Sequence, residues 1–214
     1  RRNIIGVTMP GFATTDMTHD NAVELMGALG IERKEIDITA SCMQHFRDIG
    51  QDVNNHDVTY ENAQARERTQ ILMDIANQVN GLVIGTGDLS ELALGWATYN
   101  GDHMSMYSVN CGVPKTLVRV MVEWLAARSD ARVREILSSI VETPISPELV
   151  PGGKKGEIRQ RTEDIVGPYE LHDFYLYHFV RQSMSPGKTL FMAGHAFEGR
   201  YTHEELKKWL TVFC

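Results

Sequence analysis

The stretch GLVIGTGDLSELALGW, residues 81–96, changes character halfway along. Gly81-Leu82-Val83-Ile84 is a short apolar run bounded by glycine, the composition of a strand buried on both faces of a parallel sheet. From Leu89 onward, Leu92, Ala93 and Trp96 fall at helical spacing, and Asp88 and Ser90 stand where a helix takes its N-cap. The stretch therefore reads strand, tight turn, helix. In open α/β sheets such turns lie at the carboxyl ends of the strands, where ligands bind, and glycine lets the backbone approach a phosphate closely. There Thr86 offers a hydroxyl, while Asp88 and Glu91 offer carboxylates to a nucleotide-bound Mg²⁺. A tight turn with a capping acid and no ligand fits the local residues equally well.

Working outward, strands and helices alternate through the first hundred residues. Ile4 to Met9 reads as a strand, and the helix that follows carries Ala22, Val23, Leu25, Met26 and Leu29 on one face and stops at Gly30. Glu35 to Ile38 reads as a second strand, Cys42 to Ile49 as a helix and Gly50 to Asp57 as a polar loop. Thr59 is the expected cap of a long helix through Val79 that leads into the strand Leu82 to Ile84. The pattern predicts an α/β unit with a parallel sheet and right-handed crossovers. Beyond residue 100 the pattern turns helical, over Leu117–Ala127, Val133–Val141, Leu171–Val180, Leu190–Phe197 and Leu206–Phe213, interrupted by the turn-rich, charged segment 151–157.

Composition narrows the function classes. With 43% hydrophobic residues, 23% charged residues and no long apolar run in 214 positions, the sequence predicts a soluble globular domain with no membrane span. The net charge of -7 argues against a nucleic-acid binder that relies on a broad basic surface. Cys42, Cys111 and Cys214 are far apart and form no CxxC pair, so neither a zinc knuckle nor a disulfide framework is indicated, and a reducing cytoplasm is expected. His103, His172, His178 and His195 lack the spacing of metal ligands, and Phe174, Tyr175, Tyr177 and Phe179 read as helix packing.

GTGDLSELALGWATYNGD (85–102) and VNCGVPKTLVRVMVEWL (109–125) together closely resemble the synthetase domain of glutamine-dependent NAD⁺ synthetases. VTMPGFATTDMTHDNAVELMGALG near the start, YENAQARER at 60–68, ISPELVP and VGPYELHDFYLYHF extend the resemblance over nearly the whole chain. Motifs of this length and order are far more specific than a lone glycine-rich turn. The resemblance implies a doubly wound parallel sheet of the adenine nucleotide alpha-hydrolase type, with residues 1–100 as an α/β nucleotide-binding part and 101–214 as a mainly helical part. It implies activation of the nicotinate carboxylate of deamido-NAD⁺ by ATP and Mg²⁺, release of pyrophosphate, and attack of ammonia delivered from glutamine by a separate amidase domain. It also implies a homo-oligomer.

Position by position, the resemblance makes Thr86, Lys115 and Ser146 ATP-binding residues and Glu91 the Mg²⁺-linked glutamate. It places Asn62, Arg66, Glu91, Trp96, Ala97, Thr98 and Tyr99 against deamido-NAD⁺, and assigns Asp102 and Lys115 to the reacting centre. Read locally, each has a plainer part: Glu91 as a first-turn acid favoured by the helix dipole, Asn62 and Arg66 as one polar helix face, Trp96 as core, Asp102 as a turn aspartate. Lys115 at a helix start opposes the dipole, which favours an anionic partner.

Family members carry an SGGxDS phosphate loop upstream of the strand matching Ile4 to Met9. This sequence has none, so an incomplete synthetase domain, truncated at both ends and with little turnover of its own, is expected. The alternatives are another ATP pyrophosphatase, of the GMP synthetase or tRNA-thiolating kind, and a nucleotide-binding or oligomerisation module without catalysis.

Overall fold

The first strand expected forms over Ile5–Thr8 (β1) and pairs in parallel with Glu32–Glu35 (β2), Ile5 opposite Glu32 and Thr8 opposite Glu35. The structure, a computed structural model, describes residues 3–146, 149 and 162–214, so the charged segment 151–157 lies outside the described residues. Sequence periodicity places the second strand at Glu35–Ile38, three residues late. The two readings overlap, because Ile36 N–H donates to the Thr8 carbonyl and Ile38 N–H to the Pro10 carbonyl, each at 3.0 Å. Apolar alternation picks out Ile36 and Ile38, whereas the regular pairing starts on the charged residues 32–34, which carry no such signal.

The helix between these strands, Asp16–Leu29 (α1), begins at Thr15, whose side chain accepts from Thr18 N–H, and ends at Gly30 with φ of 64°. Thr39–Ile49 (α2) and Val58–Val79 (α3) follow. The cap of α3 is Asp57 rather than Thr59: its carboxylate accepts the N–H groups of Thr59 and Tyr60 at 2.9 and 3.1 Å.

The strand at the end of α3 is shorter and more open than expected. Only Ile84–Gly85 (β3) is paired, in parallel with Tyr107–Ser108 (β4), and Leu82 and Ile84 are 58% and 52% exposed while Val83 alone of the run is buried. The expectation of a strand covered on both faces is therefore corrected for this chain. β4 is a strand that no sequence pattern announced. Among the described residues β1–β2 and β3–β4 are separate two-stranded parallel sheets, each with unpaired edges.

The remainder is helical: Leu89–Leu94 (α4), Lys115–Ala126 (α5), Ala131–Glu142 (α6), Thr162–Val166 (α7), Tyr169–Tyr175 (α8), Pro186–Ala196 (α9) and His203–Phe213 (α10). The single helix expected over Leu171–Val180 is α8 running into a π-helical turn, Leu176–Arg181. None of the described helices is long and apolar enough to cross a membrane.

Two apolar clusters hold these elements. Ile38, Cys42, Phe46, Tyr60 and Ala63 join α2 to α3, with the rings of Phe12, Phe46 and Tyr60 5.3 to 6.0 Å apart. Leu171, Tyr175, Ala193, Phe197, Leu206 and Leu210 join α8, α9 and α10. The fold is thus mixed α/β and rich in helix.

Candidate active site

The turn between β3 and α4 accounts for its own lack of side-chain bulk. A Cβ on Gly85 would come within 2.4 Å of the Ser105 hydroxyl oxygen, so glycine there lets the β3 and β4 segments approach. Gly87 is different. A Cβ there would meet nothing nearer than Glu91 Oε2 at 3.8 Å, which leaves the turn beside Thr86 open to solvent and to any ligand. Asp88 then caps α4, accepting Glu91 N–H at 3.0 Å, while Glu91 Oε2 reaches back to the Asp88 N–H at 3.2 Å. This reciprocal capping box is worth about 1 kcal/mol.

Each of these carboxylates spends one oxygen on the cap and turns the other towards Lys115. Its ammonium lies 2.7 Å from Asp88 Oδ2 and 2.5 Å from Glu91 Oε1. Burial opposes the lysine charge, yet the hydrogen bonds to Asp88 and Glu91 outweigh it and hold the pKa above the ordinary lysine value. Lys115 at a helix start is therefore compensated inside the chain by two carboxylates, which relieves the dipole mismatch without a phosphate. Among the described residues no three His, Cys, Asp or Glu side chains gather as a metal cage. The cationic point on which the two carboxylates converge is Lys115, and of the two Glu91 lines the cavity described below, so Glu91 is the oxygen donor placed to meet a Mg²⁺ that keeps waters and substrate phosphates.

The start of α5 is anchored from a distance. Pro114 gives it no side-chain cap. Instead Asp173, on α8, accepts Thr116 N–H at 2.8 Å and the Thr116 hydroxyl at 2.6 Å, and also accepts the Ser90 hydroxyl. Ser90 in turn accepts the Lys115 N–H at 2.8 Å. Three side chains, Ser90 of α4, Thr116 of α5 and Asp173 of α8, thus fix the backbone that carries Lys115.

Residues 96–103 form a turn strapped to α3. The Thr98 hydroxyl donates to Asn62 Oδ1 at 2.8 Å, and Arg66 Nε donates to the Tyr99 carbonyl at 3.0 Å, one α-helical turn further along the same face. Asp102 accepts Thr98 N–H at 2.7 Å, and His103 Nδ1 contacts the Thr98 carbonyl at 2.8 Å. Asn62 and Arg66 therefore brace the turn that carries Trp96, Ala97 and Thr98.

Between α3, the β3 turn and α4 lies a cavity of about 580 Å³. Of the residues singled out in the sequence, Asn62, Thr86, Glu91, Trp96, Ala97, Thr98, Asp102 and Ser146 line it. Arg66, Tyr99 and Lys115 are not in its wall; Lys115 joins it through Glu91. Arg68, Thr162 and Tyr169 are wall residues that sequence reasoning passed over, as it passed over Asp173 behind the wall, while it took Ser90 for a helix cap only. The i, i+4 pair Tyr169 and Asp173 in PYELHDFY was the available signal.

The sequence profile of the NAD synthase family matches residues 1–198. The chain is 41% identical over 236 residues to the glutamine-dependent NAD(+) synthetase of Mycobacterium leprae (strain TN) and 42% identical over 238 residues to that of Mycobacterium tuberculosis (strain ATCC 25618 / H37Rv), covering 100% of this chain in both and 35% and 34% of those proteins. It spans about a third of the length of these curated relatives. Among solved structures, a glutamine-dependent NAD(+) synthetase from Cytophaga hutchinsonii superposes with a TM-score of 0.72 at 22% identity, over 97% of this chain and 32% of that one. An NMN synthetase from Francisella tularensis superposes with a TM-score of 0.69 at 22% identity, over 97% and 73%. At such identities the likeness is one of fold. A glutamine-dependent NAD+ synthetase from Acinetobacter baumannii, solved with ADP, superposes with a TM-score of 0.57 at 21% identity, over 96% of this chain and 34% of that one.

Proposed function

The chain belongs to the NAD synthase family, and from that premise we propose that it is the synthetase part of a ligase that converts deamido-NAD⁺ to NAD⁺ with ATP, Mg²⁺ and ammonia drawn from glutamine. The observation that carries this reading is the 580 Å³ cavity, whose wall brings Thr86, Glu91 and Ser146 together with Asn62, Trp96, Thr98 and Asp102, while Lys115 stands behind Glu91. Its size suits a nucleotide-scale ligand. The relative solved with ADP is in keeping with a nucleotide ligand.

In this reading Thr86 and Ser146 offer hydroxyl contacts to ATP, and Lys115 supplies the cation that offsets charge growing at the α-phosphorus as the nicotinate carboxylate attacks and pyrophosphate leaves. Glu91, which lines the cavity, is the carboxylate that would hold Mg²⁺ once its Oε1 is released from Lys115, and the metal would screen the phosphate charge. The turn 96–99, braced by Asn62 and Arg66, presents Trp96 to the pyridine ring, and Asp102 sits beside the carboxylate to be activated. Ammonia then displaces adenylate to give the amide.

The same reading takes β1–β2 and β3–β4 as two flanks of one doubly wound parallel sheet of the adenine nucleotide alpha-hydrolase type, with 1–100 as the nucleotide-binding part and 101–214 as the mainly helical part. It also assigns the protein to the cytoplasm and to a homo-oligomer, for which the exposed Val120, Met121 and Trp124 of α5 offer an apolar face. Glu91→Gln is the test. Glutamine at the third helical position still closes the capping box, so the fold is kept while one negative charge is lost. In the protein that contains this chain, pyrophosphate release in a single turnover should slow by about 10²-fold. Release at the parent rate would sink the reading.

A further inference from the structure

Tyr169 opens α8 and is 2% exposed, yet its hydroxyl has no hydrogen-bond partner among the described residues. Its neighbours show the ordinary solution. The Tyr175 hydroxyl donates to the Leu206 carbonyl at 2.9 Å, and the Tyr201 hydroxyl to Glu170 Oε1 at 2.6 Å. An orphaned interior hydroxyl is costly; Gln64 Oε1, His172 Nδ1, His178 Nδ1 and Thr189 Oγ1 are also unpartnered among the described residues, but of these residues Tyr169 alone belongs to the cavity wall.

The position of Tyr169 indicates a use for the hydroxyl. It lines the cavity together with Thr86, Glu91, Ser146 and Thr162, and its ring lies 5.4 Å from the Lys115 ammonium. Burial first, and then the negative charge of Glu91, Asp88, Glu163 and Asp173, push its pKa well above the ordinary phenol value. Its hydroxyl therefore stays protonated and able to donate. A neutral donor beside a lysine, in a wall of further hydroxyls, suits an acceptor that carries several anionic oxygens and comes from outside the chain.

We propose that Tyr169 is a ligand-binding residue of this cavity, its hydroxyl donating to a phosphate oxygen of the bound nucleotide next to Lys115. The proposal rests on the nucleotide reading above and adds a residue to it.

Tyr169→Phe removes one oxygen and keeps the ring. In the protein that contains this chain, calorimetric titration of the variant with ATP and Mg²⁺, and with inorganic pyrophosphate and Mg²⁺, should show affinities about tenfold weaker than the parent's, while adenosine binds both equally. Without ligand the variant should melt at the same temperature or higher, because an unpaired buried group has been removed. Unchanged pyrophosphate affinity, or a lower melting temperature without ligand, would overturn the proposal; the second result would mean that the hydroxyl is paired within the chain. Failure of the parent protein to bind ATP at all would instead overturn the nucleotide reading, and this inference with it.

Discussion

Glu91 carries two duties that can be separated. Its backbone-facing oxygen closes the α4 capping box and its other oxygen meets Lys115, so Glu91→Gln tests the second while sparing the first. Lys115→Met is a harsher change. It leaves Asp88, whose side chain is 3% exposed, without its counter-charge, so melting should show a loss of about 1–3 kcal/mol besides slower pyrophosphate release. An unchanged melt would mean that Asp88 finds another partner or a proton. His172 supplies a pH prediction. It is 1% exposed among the rings of Tyr175, Trp209 and Phe213, and its Nε2 lies 2.5 Å from the Val166 carbonyl, so that nitrogen carries the proton and Nδ1 is left unpartnered. Burial lowers its pKa, against smaller upward pulls from the Val166 carbonyl, Asp173 and Glu163. The unfolded chain therefore takes up the proton first, and stability that is full above about pH 6.5 declines as pH falls towards the lower folded value. Melts at pH 7.5, 6.5 and 5.5 should reveal this decline, flattened in His172→Phe; an equal slope in the variant would assign it to other groups. His19, raised by Asp20 and Glu35, acts with the opposite sign, its contribution fading as pH rises, but both carboxylates are exposed and solvent screens the pairs.

At the scale of elements, α8 works on two faces. Tyr169 and Asp173, four residues apart, turn to the site, while Leu171 and Tyr175, also four apart, turn to the α9–α10 core. Asp173 joins α8 to α4 through Ser90 and to α5 through Thr116, and these contacts share atoms. Ser90→Ala and Asp173→Ala should each destabilise by about 1–3 kcal/mol, and the double variant should lose clearly less than the sum, as melting of all three would record. Additive losses would mean that the two side chains act separately. Helix existence was readable because Leu, Val and Ile recur at helical spacing in α1, α5, α6 and α10. Caps were less so: Asp57 and Thr59 both qualify before α3, and only the backbone at residue 57, extended rather than helical, decides between them. The π-helical turn after Tyr175 leaves no mark in composition.

For the molecule as a whole, local pattern foretold that strands and helices alternate, but not which strands pair. β4 is two residues long in a loop, and its partner β3 lies some twenty positions upstream. Many residues of the candidate cavity could be named because they sit in long motifs; Ser90, Tyr169 and Asp173 sit in those motifs too, but they act by contacts between segments remote in sequence, which neither motif nor periodicity shows. The unjoined β1–β2 and β3–β4 sheets have one more consequence, which concerns handling in the tube. A short parallel pair with an open edge beside exposed Leu82 and Ile84 is a template on which strands from other molecules can add. A preparation of residues 1–214 alone should grow turbid on concentration and gain thioflavin fluorescence over days, and Ile84→Lys should slow both by putting a charge on the sticky edge. Equal turbidity in the variant would move the fault to another surface, such as the apolar face of α5.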